Sequence, residues 1–426
     1  MHPTRRRAIL LAAILAGAAC VGAAALLRDA PEGPTAAPPP SETAPEPQPQ
    51  DSAPEPTPSA PMTPPESAPP AETPAPPREL QARPDDSRPM VVGFMDDASF
   101  RWHQSRARML DRAHATGARL IRAFVRWDVA APTRPRAGAA PFVAPRLHEL
   151  DELVASARAR GMEVLFTIWG TPAWANGGHG PNRAPTDLGT LRDFAHGLAT
   201  RYPSVRRYSV WNEPNTNLFL SPQFDSAGRS VAPRTYAALY RAAYEGIKSA
   251  NPHALVAIGE TGSHGRDAPS PGSAQDRHSP ARFAQLLSEQ RPRLEFDAWA
   301  HHPYPISPSG PPDGDANWPN VTLTSLERFG RALDTWFERE ATPLWVTELG
   351  YETSPAEPRG VSEHAQAEYA GRAIELAAQA GVEVFVWFTF ADSEHNSWQS
   401  GLLDDAGEAR PVYERFAAAV RAFTTS

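Results

Sequence analysis

From Met90 onward, short apolar runs alternate with longer stretches of helical periodicity, the pattern of repeated strand–helix units. Eight apolar runs begin near Met90 (MVVGF), Arg119 (RLIRAFV), Met162 (MEVLFTI), Val205 (VRRYSVW), Ala254 (ALVAI), Phe296 (FDAWA), Pro343 (PLWVT) and Glu383 (EVFVWF). The first and last starts are 293 residues apart over seven intervals, about 42 residues per unit, which accommodates a strand, a loop and a helix. Between them, Leu147, Leu150, Leu153, Val154 and Ala157 fall on one face of a helix predicted from Pro145 to Arg160, with Gly161 as its stop. A second helix is predicted from Glu363 to Ala380, with Ala370, Ile374 and Ala377 inward and Gly381 after it. This count and order predict an α/β fold, a (β/α)8 or TIM barrel. A doubly wound sheet would carry a glycine-rich phosphate turn after the first strand, and none is present. In a closed barrel, residues that perform chemistry lie just past the strand ends.

The first 88 residues read differently. Arg5, Arg6 and Arg7 precede an apolar stretch from Ala8 to Leu27, so residues 1–29 are expected to be an export signal or membrane anchor. Cleavage near Ala23 or Ala25, retention as an anchor and lipid attachment at Cys20 all remain open, as do ordinary and twin-arginine export. Each reading puts the rest of the chain outside the cytoplasm, secreted or tethered, with membrane contact only through the leader. Residues 30–88 repeat Pro, Ala, Glu, Ser and Thr; 21 of the 48 prolines lie between Pro31 and Pro89, and no aromatic residue precedes Phe94. Such a segment cannot bury enough apolar surface to offset chain entropy and is expected to be a disordered, extended spacer. Residues 89–426 form the predicted barrel, expected to act as a monomer.

Charge and cysteine content narrow the chemistry. Of the net charge of −8, −7 belongs to residues 30–88 and +3 to residues 1–29, which leaves −4 for the barrel. Nothing in that balance calls for a nucleic-acid partner. Cys20 is the only cysteine, so the barrel has no disulfide, thiolate metal site or catalytic thiol, and no cofactor is implied. His301-His302 carries no metal-site expectation either, because adjacent strand residues point to opposite faces.

Two glutamates stand where strands end. The fourth run closes in Val210-Trp211-Asn212-Glu213-Pro214, where Pro214 cannot extend the ladder, and the seventh in Trp345-Val346-Thr347-Glu348-Leu349-Gly350. Two carboxyls delivered to one barrel face suit glycosidic bond cleavage, in which one protonates the leaving oxygen while the other attacks the anomeric carbon or activates water. Glu260, Asp392 and Glu394 occupy other loop positions and are read as substrate contacts or solvated charges. Trp127, Trp169, Trp174, Trp387 and Trp398 fall at or soon after strand ends, where indole rings can stack on sugar faces, whereas Trp299, Trp345 and Trp336 are assigned to packing.

Over about Met90 to Phe423 the sequence resembles the retaining glycoside hydrolases of clan A, the cellulase-like barrels around families 5 and 39. Asn212-Glu213-Pro214 carries the most specific part of the likeness. The resemblance implies Glu213 as acid/base, Asn212 as a contact to the sugar 2-hydroxyl and Glu348 as nucleophile. It further implies that Arg122, within Ile121-Arg122-Ala123-Phe124, supports the nucleophile. Tyr304 of His302-Pro303-Tyr304 would approach the nucleophile, with His302 tuning the network, and Trp387 would floor the subsite of the cleaved sugar. Trp169 is taken as a further sugar contact. The expected activity is hydrolysis of β-glycosidic bonds in a poly- or oligosaccharide, with a transglycosylase and an inactive carbohydrate-binding barrel as the rival readings.

Overall fold

Runs rich in β-branched and aromatic residues form eight parallel strands, each flanked by neighbours on both sides and therefore apolar on both faces. In this computed structural model the described residues are 89–102, 104–136, 138–270, 275–396 and 398–424. The predicted leader, with Cys20, and the predicted spacer lie outside them. The strands are β1 (Val91–Met95), β2 (Leu120–Arg126), β3 (Glu163–Trp169), β4 (Arg207–Val210), β5 (Leu255–Gly262), β6 (Ala298–His302), β7 (Leu344–Leu349) and β8 (Val382–Phe388). They pair in sequence order, and β8 returns to β1 in parallel register, with Phe94 opposite Trp387, to close the barrel. The predicted (β/α)8 class is the observed one.

Each strand is followed by a helix: α1 (Arg106–Ala115), α2 (His148–Arg158), α3 (Gly189–Arg201), α4 (Ala232–Ala250), α5 (Pro280–Ser288), α6 (Leu326–Phe337), α7 (Glu363–Gln379) and α8 (Pro411–Thr424). The helix predicted from Pro145 begins instead as a 3-10 turn over Ala144–Leu147, and α2 proper buries Leu150, Leu153 and Ala157. Gly161 and Gly381 follow α2 and α7 with a φ of 67° each, the left-handed geometry in which a helix stops without a Cβ penalty. At the other end of α7, the Ser362 hydroxyl accepts the Ala365 amide at 3.2 Å and caps the helix.

The core between strands and helices is aromatic. Trp299 packs edge-on to Phe296 and Phe329, and Trp127, fully buried, lies against Trp174 and against Phe194 of α3. Trp127 therefore belongs to packing and is no sugar platform, while Trp336, assigned to packing, is half-buried beside Trp318. Phe94 stacks on Phe416 of α8, which ties β1 to the last helix. The ladder is irregular in three places, between Gly259 and Thr261 on β5 and, on β7, between Leu344 and Trp345 and between Val346 and Leu349. The slip on β5 and the second on β7 leave Glu260, Thr347 and Glu348 outside regular pairing and able to turn toward the barrel mouth.

Helices α3 and α4 pack tightly at Gly246, where a Cβ would lie 2.3 Å from the Arg192 carbonyl oxygen and 3.0 Å from the His196 amide nitrogen. Helix propensity alone would make Gly246→Ala stabilising by about 1 kcal/mol. The packing reverses that sign: we expect a loss of about 1–3 kcal/mol in urea unfolding. An unchanged or higher midpoint would show that the two helices are not held this tightly.

Candidate active site

At the end of β4 the chain turns through two left-handed residues, Trp211 at φ 74° and Glu213 at φ 35°. Non-glycine residues held there cost about 1–3 kcal/mol each and persist only where their surroundings fix them. The Trp211 indole donates to the Phe219 carbonyl at 2.7 Å, and Gln223 donates to the Pro214 carbonyl at 2.9 Å. Asn215 clamps the same turn to β5, donating to the Gly262 and His278 carbonyls and accepting the Gly262 amide. A Cβ at residue 262 would meet the Glu213 carboxyl at 3.0 Å, so the glycine there makes room for it.

Arg122 projects from β2 across the barrel interior with no exposed surface. Its Nη1 donates to Glu348 Oε2 and to the Thr347 carbonyl, both at 3.0 Å, and its Nη2 donates to Glu260 Oε2 at 3.0 Å and Asn212 Oδ1 at 3.3 Å. Its Nε donates to Thr167 Oγ1 at 2.9 Å, so the whole guanidinium is satisfied by residues of β3, β5, β7 and the β4 turn. Glu348 accepts a second hydrogen bond, from the Tyr304 hydroxyl, at 3.1 Å. Burial, then the nearby Glu348 and Glu213 charges, keep the Tyr304 phenol well above its usual range, so it remains a donor.

His302, fully buried at the end of β6, faces two carboxyl groups. Nδ1 lies 3.1 Å from Glu213 Oε1 and Nε2 lies 2.7 Å from Glu260 Oε2. Burial works against its charge, but Glu348, Glu213 and Glu260 outweigh burial and raise its pKa to about 9. His301 points the other way, to Thr261 and the Val321 carbonyl, and burial drops its pKa to about 3. The two adjacent histidines thus diverge, as strand geometry requires.

Glu260 departs from expectation. Read as a solvated charge or substrate contact, it is fully buried and accepts from Arg122, His302 and, at 3.0 Å, Thr347 Oγ1. Burial pushes its carboxyl up, but Arg122 first and His302 next outweigh burial and hold it at about 2. The signal available was a charged residue inside an apolar strand run, which is buried only when paired. Of the other loop acids, Asp392 pins structure, accepting the Gly401 amide at 2.8 Å and pairing with Arg410 at 2.6 Å, and Glu394 is solvated.

The aromatic residues at the end of β8 also depart from expectation. Trp387 packs against Phe416 of α8 and against Tyr351, and its indole donates to the Ser400 carbonyl at 3.1 Å. It is directed into the helix layer, so it is no subsite floor. The next residue, Phe388, points to the opposite face and faces Trp398 at 6.3 Å, which in turn packs edge-on to Tyr304. Strand-end position could not separate two consecutive aromatics. Trp169 tops β3 beside Phe219 and under Arg126, and it reaches the Arg122 cluster only through Phe124. Glu213, Glu348, Arg122, Asn212, His302 and Tyr304 are brought together; Trp387 is not.

The family model for cellulase (glycosyl hydrolase family 5) matches residues 92–393. No curated protein matches the sequence. Among solved structures, a family 39 glycoside hydrolase from the gut symbiont Bacteroides cellulosilyticus aligns at 20% identity and TM-score 0.57, covering 80% of this chain and 66% of that one. A GH5_18 protein from Streptomyces cattleya, in complex with GlcNAc, aligns at 17% identity and TM-score 0.58 over 81% of this chain and 82% of that one. A monomeric β-xylosidase from Caulobacter crescentus aligns at 19% identity and TM-score 0.53, over 79% and 68%. At these identities the likeness to solved structures is one of fold, whereas the family model spans most of the chain. The chain belongs to the cellulase family of glycoside hydrolases, glycosyl hydrolase family 5.

Proposed function

We propose that this protein hydrolyses β-glycosidic bonds of a poly- or oligosaccharide with retention of configuration, with Glu348 as nucleophile and Glu213 as acid/base. The observation that carries the reading is the unlike setting of the two strand-end carboxyls. Glu348 receives donors on both oxygens, from Arg122 and Tyr304, which suits an ionised nucleophile; Glu213 sits buried with Oε1 against the His302 ring, which suits a group that gives and takes a proton.

In the first step Glu348 attacks the anomeric carbon while the bond to the leaving oxygen breaks and that oxygen takes the Glu213 proton. A covalent glycosyl ester then occupies Glu348. Water next attacks the same carbon, gives its proton to Glu213 and releases Glu348. Asn212 Oδ1 is engaged by Arg122, which leaves its amide NH2 to donate to a hydroxyl beside the reacting carbon. Phe388 and Trp398 supply an apolar face for the ring, and the buried Trp398 Nε1, which has no partner among the described residues, can donate to a sugar hydroxyl.

Two outcomes check the reading. Glu348→Gln and Glu213→Gln each lower kcat on unactivated glycosides by about 10³-fold or more, and NMR of the first product shows the substrate's anomeric configuration; inverted product would refute it. On the aromatic floor, Phe388→Ala lowers kcat/KM by about tenfold or more with a modest effect on unfolding, whereas Trp387→Ala costs about 3–5 kcal/mol of stability. Equal behaviour of the two variants would contradict the assignment of faces.

A further inference from the structure

Two cations, Arg122 and His302, are buried side by side in the barrel mouth with no exposed surface, and one carboxylate oxygen, Glu260 Oε2, binds both at 3.0 and 2.7 Å. Arg122 continues to Glu348, and His302 continues to Glu213. Glu260 is therefore the junction of two arms that end on the two carboxyls of the proposed reaction, although it touches neither. Thr347 Oγ1 also donates to it, and the left-handed φ of 46° at the β5 slip aims it inward.

We propose that Glu260 is a positioning residue whose fixed negative charge keeps His302 doubly protonated, so that His302 donates to Glu213 Oε1 and cannot take the acidic proton that Glu213 delivers to the leaving group. This inference rests on the glycosidase reading above. A neutral His302 with its lone pair on Nδ1 would accept the Glu213 proton and divert it from the substrate. A doubly protonated ring has no lone pair to offer.

The charges agree with this role at each stage. Before reaction, Arg122 and His302 are balanced by Glu260 and Glu348, while Glu213 holds its proton. After the first step the Glu213 O–H bond and the glycosidic C–O bond have broken, the proton is on the leaving oxygen, and a new C–O bond joins the sugar to Glu348. Glu348 is then a neutral ester, Glu213 a carboxylate, and the sum is again zero. Water reverses both changes. Without Glu260 the buried cluster carries an excess positive charge throughout, and His302 is the group that can release it. The charged and titratable groups facing His302 and Glu260 are Arg122 from β2, Glu213 from the β4 turn, Tyr236 from α4, His301 from β6, Tyr304 after β6 and Glu348 from β7.

The test is the ring protonation of His302 in the full chain, followed by NMR of 15N-histidine-labelled protein from pH 6 to 10 and assigned by the loss of its signals in His302→Gln. Both ring nitrogens should be protonated at pH 7 in the wild type and titrate near pH 9; in Glu260→Gln, with a carboxylate removed, the transition moves down by about one pH unit or more. Glu260→Gln should also lose about 10²-fold in kcat/KM on an unactivated glycoside but less than about tenfold on a 2,4-dinitrophenyl glycoside, whose leaving group needs no proton. A His302 that is neutral at pH 7 in the wild type, or a titration unmoved in Glu260→Gln, overturns the proposal, and if Glu260→Gln does not fold the wild-type titration decides alone. Should the titrations follow expectation while the wild type cleaves no glycoside, the glycosidase reading falls and the charge-holding role of Glu260 stands.

Discussion

A guanidinium sealed away from water must be answered by acceptors on every side, and Arg122 sets that demand at the mouth of this barrel. Desolvating a cation is costly, and removing any single partner would leave uncompensated charge. The acceptors are supplied by Thr167 on β3, Asn212 in the β4 turn, Glu260 on β5 and Glu348 on β7, four elements spread around the ring. Closure of the barrel is what makes this possible, since only a closed ring brings β2 within reach of β5 and β7 across its interior. Fold and site are thus a single constraint: the cylinder exists without Arg122's partners, but the partners converge only on the cylinder.

The backbone departs from regularity where those partners sit. The ladder slips at Glu260 and around Thr347 and Glu348, and the chain takes left-handed geometry at Trp211, Glu213 and Glu260. Regular strands would point alternate residues in and out at fixed height. A slip or a positive φ places a carboxylate at a height the pleat does not provide, and packing and hydrogen bonds around Trp211, Asn215 and Gln223 offset the cost.

Much of the architecture was legible in the sequence because its signals are local. Strand starts near Met90, Arg119, Met162 and Ala254 follow from apolar runs, and the observed strands begin at the next residue in each case. The glutamates at 213 and 348 were legible for the same reason, as charges set at the end of apolar runs. What local pattern does not encode is which face a given residue takes near a strand end, and so Trp387 stood in for Phe388. Nor does it encode partners brought from distant segments: Glu260 meets Arg122 across 138 residues and His302 across 42. Proximity to a strand end cannot tell a rim charge from a buried junction; only the assembled ring can.

Gly262 closes the β5 strand by what it lacks. The Glu213 carboxyl occupies the space a side chain at that position would claim, and Asn215 fastens the glycine's own amide and carbonyl to the same turn. The depth of the carboxyl is therefore set by a neighbouring strand's backbone to within the width of one carbon atom. Sequence drift along β5 can exchange Val256 or Ile258 for other apolar residues of similar volume, yet at 262 even the smallest side chain would crowd the Glu213 carboxyl. A position with no chemistry of its own becomes as restrictive to divergence as the carboxylate it accommodates.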